Sequence, residues 1–263
     1  MGKSSRRAAR NDFRSGLLSI DDMEQGRVER KRATTKPLEA KTENQRRYIS
    51  MIGANIITFG LGPIGTGKTY IAASLAAEAF RAGEVKKIII TRPALEAGES
   101  LGFLPGELED KFGPYFEPVR QVLEERLGSG PLEAAVEAGK IVVLPLAYMR
   151  GHTFKDAFVL LDEAQNTTPK QMYMFLTRIG EYAKVVIDGD LNQIDLPHGA
   201  RSGLRDAIEK LRGVKSVGVI EFDTDDIVRS GIAREIAVRY SCDERNTHDS
   251  SFQDDNTPGF LKS

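Results

Sequence analysis

An eight-residue glycine-rich segment limits the folds open to this chain more than any other feature. Residues 62–69 read GPIGTGKT and fit the pattern G-x-x-x-x-G-K-[ST]. Such a loop needs a β-strand before it and an α-helix after it, because its backbone N–H groups and the positive end of the helix face one phosphate group. Residues 55–59 are rich in β-branched side chains, and residues 69–82 are rich in alanine. The segment therefore predicts a phosphate-binding loop in an α/β fold.

The loop predicts binding of ATP together with Mg²⁺. Lys68 is expected to reach the β- and γ-phosphates, and the Thr69 hydroxyl is expected to ligate Mg²⁺. The glycines let the backbone curl so that successive N–H groups face phosphate oxygens. The predicted nucleotide-binding residues of the loop are Gly62, Pro63, Ile64, Gly65, Thr66, Gly67, Lys68 and Thr69.

A pair of adjacent carboxylates follows a second apolar run. Residues 158–165 read FVLLDEAQ, so the run ends in Asp162 and Glu163. In a phosphate-loop protein, the first acid at such a strand end holds Mg²⁺, directly or through water. The second acid is placed to act as general base on the attacking water. The alternative is a surface Asp–Glu pair that caps a loop.

A third apolar run ends in a polar loop, with residues 185–197 reading VVIDGDLNQIDLP. Gly189 permits a tight turn, after which Asp190 and Gln193 emerge at the carboxyl edge of the sheet. Ligands of open α/β sheets bind at that edge. Gln193 is expected to sense the γ-phosphate or to orient the water, since an amide both donates and accepts hydrogen bonds. The alternative is ordinary turn chemistry, in which Asp and Asn stabilise the backbone.

Strand-like and helix-like segments alternate through the middle of the chain, a pattern typical of a parallel sheet covered by helices. Strands are predicted over residues 55–59, 87–91, 141–144, 157–161, 184–187 and 214–222. Helices are predicted over residues 43–53, 69–82, 117–126, 132–138, 202–211 and 232–240, with another beginning at Thr168–Pro169. We interpret residues 40–242 as one domain.

The two ends of the chain differ from this middle part in charge. Residues 1–36 hold ten lysines and arginines against five acids, and residues 243–263 are acidic and polar. We expect residues 1–39 to form a basic disordered arm and residues 243–263 a disordered acidic tail, since neither buries enough apolar surface. Contact of the arm with a nucleic-acid backbone is one hypothesis, and a merely solvated arm is the alternative.

The composition excludes several classes of protein. The single cysteine, Cys242, allows no internal disulfide and fits a reducing cytoplasm, and three histidines make a zinc site unattractive. The sequence shows no run of ~20 apolar residues as a membrane helix requires, and no secretory apolar run near its basic start.

With these motifs in place, the chain resembles the PhoH family of phosphate-starvation-inducible ATPases, whose core is similar to that of superfamily 1 helicases. The resemblance covers residues 42–240. The other matching segments are TRPALEAGESLGFLPGELEDKFGPY from Thr91, PLAYMRGHTF from Pro145, LLDEAQNTTPKQMYMFLTRIG from Leu160 and GDLNQIDLP from Gly189. It implies a RecA-like, mostly parallel sheet with helices on both faces. It also implies that residues 91–115 line the nucleotide or nucleic-acid side.

The resemblance also implies roles for single residues. Gln45 is similar to the glutamine by which helicases read the adenine ring; the alternative is an exposed helix glutamine. Two departures are visible: His152 replaces the second arginine of an R-G-R-T motif, and Ser230 follows Arg229 where the family tends to have histidine. Family members also occur in bacteriophages, for which the host cytoplasm is the implied location.

Three functions follow from these observations. We expect an ATPase that hydrolyses ATP to ADP and phosphate and couples hydrolysis to binding or remodelling of single-stranded RNA, as a helicase-like protein does. The first alternative is a regulatory binding module that switches with ATP and turns over slowly. The second is a small-molecule kinase, which needs an acceptor pocket and an arginine-bearing lid, and residues 92–115 are the candidate for that lid.

The domain size predicts an assembly. Helicase motors hydrolyse ATP between two α/β domains, and the second domain usually donates an arginine to the γ-phosphate. This chain has one phosphate loop and only about 200 residues between its tails, the size of one domain. We therefore expect a ring-like homo-oligomer in which a neighbouring subunit supplies the arginine. The candidates are Arg178 and Arg229, and the alternative for each is an ordinary surface ion pair.

Overall fold

The computed structural model describes residues 31–34, 36–93, 108–229, 231–236 and 239 of the 263-residue chain. Within them lies a six-stranded sheet in the order β3-β2-β4-β5-β1-β6, and every pair of neighbouring strands is parallel. The strands are β1 (Ile57–Leu61), β2 (Lys87–Arg92), β3 (Ile141–Pro145), β4 (Ala157–Leu161), β5 (Lys184–Gly189) and β6 (Val217–Glu221).

Helices connect these strands and cover both faces of the sheet. They are α1 (Glu43–Ala54), α2 (Lys68–Ala82), α3 (Leu108–Leu127), α4 (Ser129–Glu137), α5 (Pro169–Leu176) and α6 (Gly203–Leu211). Short 3₁₀ turns span Leu146–Met149, Ala164–Asn166 and Thr224–Asp226. The predicted α/β class, with a parallel RecA-like sheet between two helical layers, is confirmed.

The central strand β4 shows why the sheet is buried on both sides. All five of its residues are buried and apolar, as parallel strands between helices require. Because side chains alternate along a strand, Phe158 and Leu160 join the core formed with α1 to α4, whereas Val159 and Leu161 join the core formed with α5 and α6. The two cores therefore lie on opposite faces of one sheet.

Several helix and strand boundaries differ from the sequence prediction, and for two of them the structure shows the physical reason. Helix α3 was predicted over residues 117–126 but begins at Leu108, so it runs through Pro114 and Pro118. Its buried residues Phe116, Val119, Leu123 and Leu127 recur at helical spacing, and this packing outweighs the helix-breaking tendency of proline. Strand β6 begins at Val217 rather than residue 214, because residues 211–217 form a turn with Ser216 in the left-handed region.

Ordered contacts begin before residue 40, the predicted start of the domain. The Lys31 N–H donates to Ser129 Oγ at 2.9 Å, and the Thr34 N–H donates to the Glu125 carbonyl at 2.7 Å. Arg126 Nη1 donates to the Lys36 carbonyl at 2.9 Å. Residues 31–36, except the undescribed residue 35, thus lie against the corner between α3 and α4.

The final predicted helix is described only in part, with residues 231–236 and 239 helical. The rest of the predicted 232–240 segment and the acidic tail lie outside the described residues, as does most of the basic arm. No helix in the described part of the chain combines the length and apolar character needed to cross a membrane.

Candidate functional site

The sheet order brings three of the predicted motifs together at one edge. Strands β4, β5 and β1 are neighbours, so the loops that follow their carboxyl ends meet, and the Gly62 N–H donates to the Gly189 carbonyl at 3.1 Å. A pocket opens between these loops. It is lined by Gly62, Ile64, Gly65, Gly67, Lys68, Thr69, Tyr70, Asp162, Glu163, Gly189, Asp190 and Gln193.

The glycine-rich loop adopts a backbone that a side chain would prevent. Gly67 has φ of 85°, and a Cβ there would lie 3.0 Å from Gln45 Nε2. Gly62 has φ of 134°, and its Cβ would lie 2.4 Å from the Phe222 carbonyl oxygen. Gly67 is also the N-cap of α2 and has no side chain to cap the first-turn N–H groups. These groups remain available for an anion, so the loop fits a phosphate.

Lys68 bends back over the phosphate loop. Its ammonium donates to the carbonyls of Gly62 at 2.6 Å and Pro63 at 3.0 Å, and to Thr66 Oγ1 at 3.3 Å. Burial lowers the pKa of Lys68 from its usual value, although the carboxylates of Asp188 and Asp190 partly counteract this. A partly buried cation whose hydrogen bonds go to these neutral oxygens is well suited to pair with phosphate oxygens.

Thr69 and Asp162 form the part of the pocket that suits a metal ion. The Thr69 hydroxyl donates to Asp162 Oδ1 at 3.2 Å, and Asp162 is buried. Hard cations such as Mg²⁺ prefer oxygen ligands and complete their coordination with phosphates and water. Within the described residues no cluster of three or more His, Cys, Asp or Glu could hold a metal by itself. The donor set therefore fits Mg²⁺ that arrives with a nucleotide.

Glu163 has an unusual backbone for a residue with a side chain. Its φ is 54°, in the left-handed region, which costs free energy and occurs in turns and at active sites. Its side chain is exposed at the pocket wall, where Glu163 Oε2 accepts a hydrogen bond from Gln165 Nε2 at 2.7 Å. This backbone and this partner fix the carboxylate on the pocket side of β4.

Gln165 also joins the second motif to the third. Its Oε1 accepts a hydrogen bond from the Asp190 N–H at 3.1 Å, and Asp190 Oδ2 accepts one from Gln193 Nε2 at 3.0 Å. The chain Glu163–Gln165–Asp190–Gln193 thus connects the predicted base with the predicted sensor. Gln165 ends the second motif, and no role for it was predicted from the sequence.

Gln45 lies in the first turn of α1 and is buried, which excludes the alternative of an exposed helix glutamine. Its Nε2 donates to the Thr66 carbonyl at 2.9 Å, and its Oε1 accepts from the Lys41 N–H at 2.7 Å. The side chain therefore supports the phosphate loop from behind. Within the part of the chain that the structure describes, one amide proton and one lone pair of Gln45 have no partner, and reading of adenine remains a prediction.

The structure separates the two candidate arginine fingers. Arg178 lies near the amino end of β4. There its carbonyl accepts a hydrogen bond at 2.7 Å from the N–H of Phe154, which precedes the strand. The phosphate loop lies beyond the opposite end of this sheet, more than ~15 Å away for a five-residue strand. Arg229 instead lies over its own loop, since a Cβ on Gly65 would be 3.0 Å from Arg229 Nε.

Two contacts near the pocket were not predicted, although the family resemblance placed Arg92 within residues 91–115 on the nucleotide or nucleic-acid side. Arg92, the last residue of β2, forms an ion pair with Asp162. Asp188, which precedes Gly189 in β5, is fully buried and accepts a hydrogen bond from the Tyr48 hydroxyl of α1. Both contacts join residues 70 or more positions apart, so only the sheet order could have indicated them. Of the residue 91–115 segment, residues 94–107 lie outside the described residues.

The pKa of Asp188 makes stability depend on pH. Burial, and then the charge of Asp162, raise the pKa of Asp188 to about 8, although its bond from Tyr48 and the charge of Lys68 act in the opposite direction. Between pH ~4 and ~8 the folded state keeps the proton that the unfolded state releases. Folding therefore becomes less favourable by about 1.4 kcal/mol for each pH unit in that window.

Asp188→Asn should remove this dependence, because the amide keeps the shape and cannot ionise. We expect the free energy of unfolding of the variant, relative to the unsubstituted protein, to rise steadily from pH 5 to pH 8 in urea titrations. Asp225→Asn, which changes an exposed aspartate, should give a difference that stays flat over the same range. A flat difference for Asp188→Asn as well would contradict the raised pKa.

Comparison with known sequences gives the same family for the profile match and for the individual relatives. The family profile described as PhoH-like protein matches residues 37–241. A PhoH-like protein of Bacillus subtilis is 51% identical over 210 residues, covering 80% of this chain and 66% of that protein. Protein PhoH of Escherichia coli K12 is 42% identical over 251 residues, covering 91% of this chain and 71% of that protein. The chain therefore spans about two thirds of the length of these relatives.

Two solved structures show a distant likeness to the chain. The UvsW helicase from bacteriophage T4 is 14% identical, with a TM-score of 0.42, and the match covers 78% of this chain and 68% of that one. The Pif1 helicase from Candida albicans is 12% identical, with a TM-score of 0.38, over 71% of this chain and 40% of that one.

Proposed function

Because this chain belongs to the PhoH family, we propose that it is an ATPase that uses Mg²⁺ to hydrolyse ATP to ADP and phosphate. The observation that carries the proposal is the contact between the Thr69 hydroxyl and Asp162 Oδ1, 3.2 Å apart, beside a partly buried lysine and a helix N-terminus without a side-chain cap. These groups combine the phosphate-binding and metal-binding parts of a nucleotide site in one pocket.

The residues divide the chemistry among them. The loop N–H groups and Lys68 bind the phosphates and stabilise the charge that develops on the transferred group. Thr69 and Asp162 hold Mg²⁺, which when bound neutralises the phosphate oxygens. Glu163 accepts a proton from the attacking water, and Gln193 orients that water or contacts the γ-phosphate. Gln165 keeps Glu163 in position through their 2.7 Å hydrogen bond.

We propose that ATP hydrolysis is coupled to binding or remodelling of single-stranded RNA. The predicted water-activating acid and the predicted sensor together suit transfer of phosphate to water. The basic sequence of residues 1–36 suits contact with a nucleic-acid backbone. Steady-state phosphate release should therefore increase when single-stranded RNA is added, and less so with single-stranded DNA or duplex. Slow release that no nucleic acid changes would favour an ATP-switched regulatory module. Transfer of phosphate to a metabolite would favour a kinase.

We propose further that the protein assembles as a ring-like homo-oligomer with an arginine supplied between subunits. Arg178 lies at the sheet edge opposite to its own loop, so any action on a γ-phosphate must occur in a neighbouring subunit. Arg229 lies over the loop of its own chain and can act there. An arginine finger accounts for ~10³–10⁵ in rate in other phosphate-loop enzymes.

Mixing inactive variants tests which arginine acts between subunits. An equal mixture of Lys68→Ala and Arg178→Ala should recover activity, because about a quarter of random interfaces combine an intact loop with an intact arginine. The matched mixture of Lys68→Ala and Arg229→Ala should recover none, since its two lesions belong to the same site. Absence of recovery in the first mixture, despite demonstrated subunit exchange, would contradict a finger at Arg178.

A further inference from the structure

Arg92 occupies one side of the carboxylate that is placed to hold the metal. Strand β2 is the neighbour of β4, and Thr91 pairs with Leu161, so the residues that follow, Arg92 and Asp162, lie side by side. Arg92 Nε and Nη2 donate to Asp162 Oδ2 at 3.1 Å and 2.5 Å. The pair is largely removed from water, with side-chain exposures of 18% for Arg92 and 6% for Asp162.

The two oxygens of Asp162 have different partners. Oδ1 accepts hydrogen bonds from the Thr69 hydroxyl at 3.2 Å and from the Glu163 N–H at 3.1 Å, which keeps it directed at the phosphate loop. Oδ2 accepts the two hydrogen bonds from Nε and Nη2 of the Arg92 guanidinium. A buried carboxylate without a counter-charge is costly, so Arg92 provides the charge balance of Asp162 while no metal is bound.

We propose that Arg92 is a positioning residue that competes with Mg²⁺ for Asp162 and so sets the Mg²⁺ concentration at which the site fills. The proposal rests on the nucleotide-binding function above. Arg92 and Mg²⁺ are both cations that are drawn to the same carboxylate. Binding of the metal must therefore weaken the ion pair or overcome repulsion from it, and either effect lowers the affinity of the site for Mg²⁺.

Arg92 should have the opposite effect on nucleotide without metal, for which it increases the affinity of the site. Metal-free ATP brings only negative charge, which Arg92 offsets together with Lys68. Without Arg92, the unpaired Asp162 carboxylate would repel metal-free ATP. Removal of the guanidinium should therefore weaken binding of metal-free nucleotide and strengthen binding of the Mg²⁺ complex. We define the metal-coupling ratio as the dissociation constant without metal divided by the dissociation constant with Mg²⁺. A change in this ratio separates the role of Arg92 from a general loss of structure, which would weaken both kinds of binding.

The test is equilibrium binding of a fluorescent non-hydrolysable ATP analogue, with excess EDTA and across a Mg²⁺ titration. Arg92→Gln should raise the metal-coupling ratio about tenfold or more, the scale on which a neighbouring charge shifts a binding equilibrium. It should also lower the Mg²⁺ concentration that gives half-maximal binding. Arg92→Lys keeps the charge without the two-donor contact and should give a smaller change in the same direction.

Arg201→Gln is the matched control, since Arg201 also pairs with a carboxylate but lies on the exposed surface beside α6. Its metal-coupling ratio should equal that of the unsubstituted protein. If Arg92→Gln fails to fold, as thermal unfolding would show, Arg92→Lys alone provides the test. An unchanged ratio in variants that still bind the analogue would overturn the role of Arg92 and leave the proposed function intact.

A lowered ratio would also overturn it, because it would mean that Arg92 supports the Mg²⁺ complex directly. A protein that binds the analogue in no condition, with or without the substitution, would instead reject the nucleotide site as a whole. These outcomes separate an error about Arg92 from an error about the function.

Discussion

Lys68→Ala is expected to reduce ATP hydrolysis by at least about 10³-fold and to weaken ATP binding, because the transferred phosphoryl group loses its main protein cation. The ammonium now donates to the Gly62 and Pro63 carbonyls, and a phosphate would replace those neutral partners with anionic ones. Steady-state phosphate release measures the first effect, and binding of a fluorescent ATP analogue measures the second.

Lys210→Ala gives a matched control for this substitution, since Lys210 is also on a helix but has an exposed side chain, which pairs with Asp206 away from the pocket. It should keep both activities. Turnover of Lys68→Ala close to that of the unsubstituted protein would contradict the assignment of residues 62–69 as the phosphate-binding loop.

Glu163→Gln should still bind Mg²⁺ and ATP and yet turn over about 100-fold more slowly or worse, the usual contribution of a general base. The amide keeps the size of the side chain and loses only the ability to accept a proton. Burst and steady-state measurements of phosphate release, beside analogue binding, would separate the loss of chemistry from a loss of affinity.

Asp162→Asn is the informative comparison for Glu163→Gln. It removes the charge that faces Thr69 and Arg92, so the Mg²⁺ concentration needed for activity should increase. If both variants lost nucleotide binding to the same extent, the division of roles between the two acids would be wrong.

The structural features that were predictable from the sequence depend on short stretches of chain. Strand β4 was predicted over its observed length, because five consecutive apolar residues before two acids are a strong local pattern. The helix after Thr168 was also predicted, since Thr168 caps it and Pro169 begins it. The phosphate loop was identified in the same way, from eight consecutive residues.

Contacts between distant strands were not predictable in this way. The Arg92–Asp162 pair depends on β2 being the neighbour of β4, and no local pattern specifies the order of strands in a sheet. The buried Asp188 shows the same limit. It belongs to an apolar run that marked a strand, but only its burial in the folded sheet, close to the charge of Asp162, gives it a raised pKa.

The candidate fingers show how the fold refines a motif-based hypothesis. From sequence, Arg178 and Arg229 were equivalent candidates. Arg178 follows α5, which returns the chain from the carboxyl edge to the amino edge of the sheet, whereas the chain near Arg229 is bound to the loop by the Val228 N–H, 3.0 Å from the Gly65 carbonyl oxygen. Only their positions relative to the sheet edges distinguish an arginine that acts between subunits from one that acts within its own.

Our main proposal is that the pocket at the carboxyl edge of β1, β4 and β5 hydrolyses ATP. Its most direct test is release of inorganic phosphate from ATP by the purified full chain, with Mg²⁺ or with excess EDTA, and with and without single-stranded RNA. We predict multiple-turnover release that requires Mg²⁺, increases with RNA and is absent from Lys68→Ala. No release above the level of Lys68→Ala in any of these conditions, from a protein that is shown to be folded, would contradict the claim.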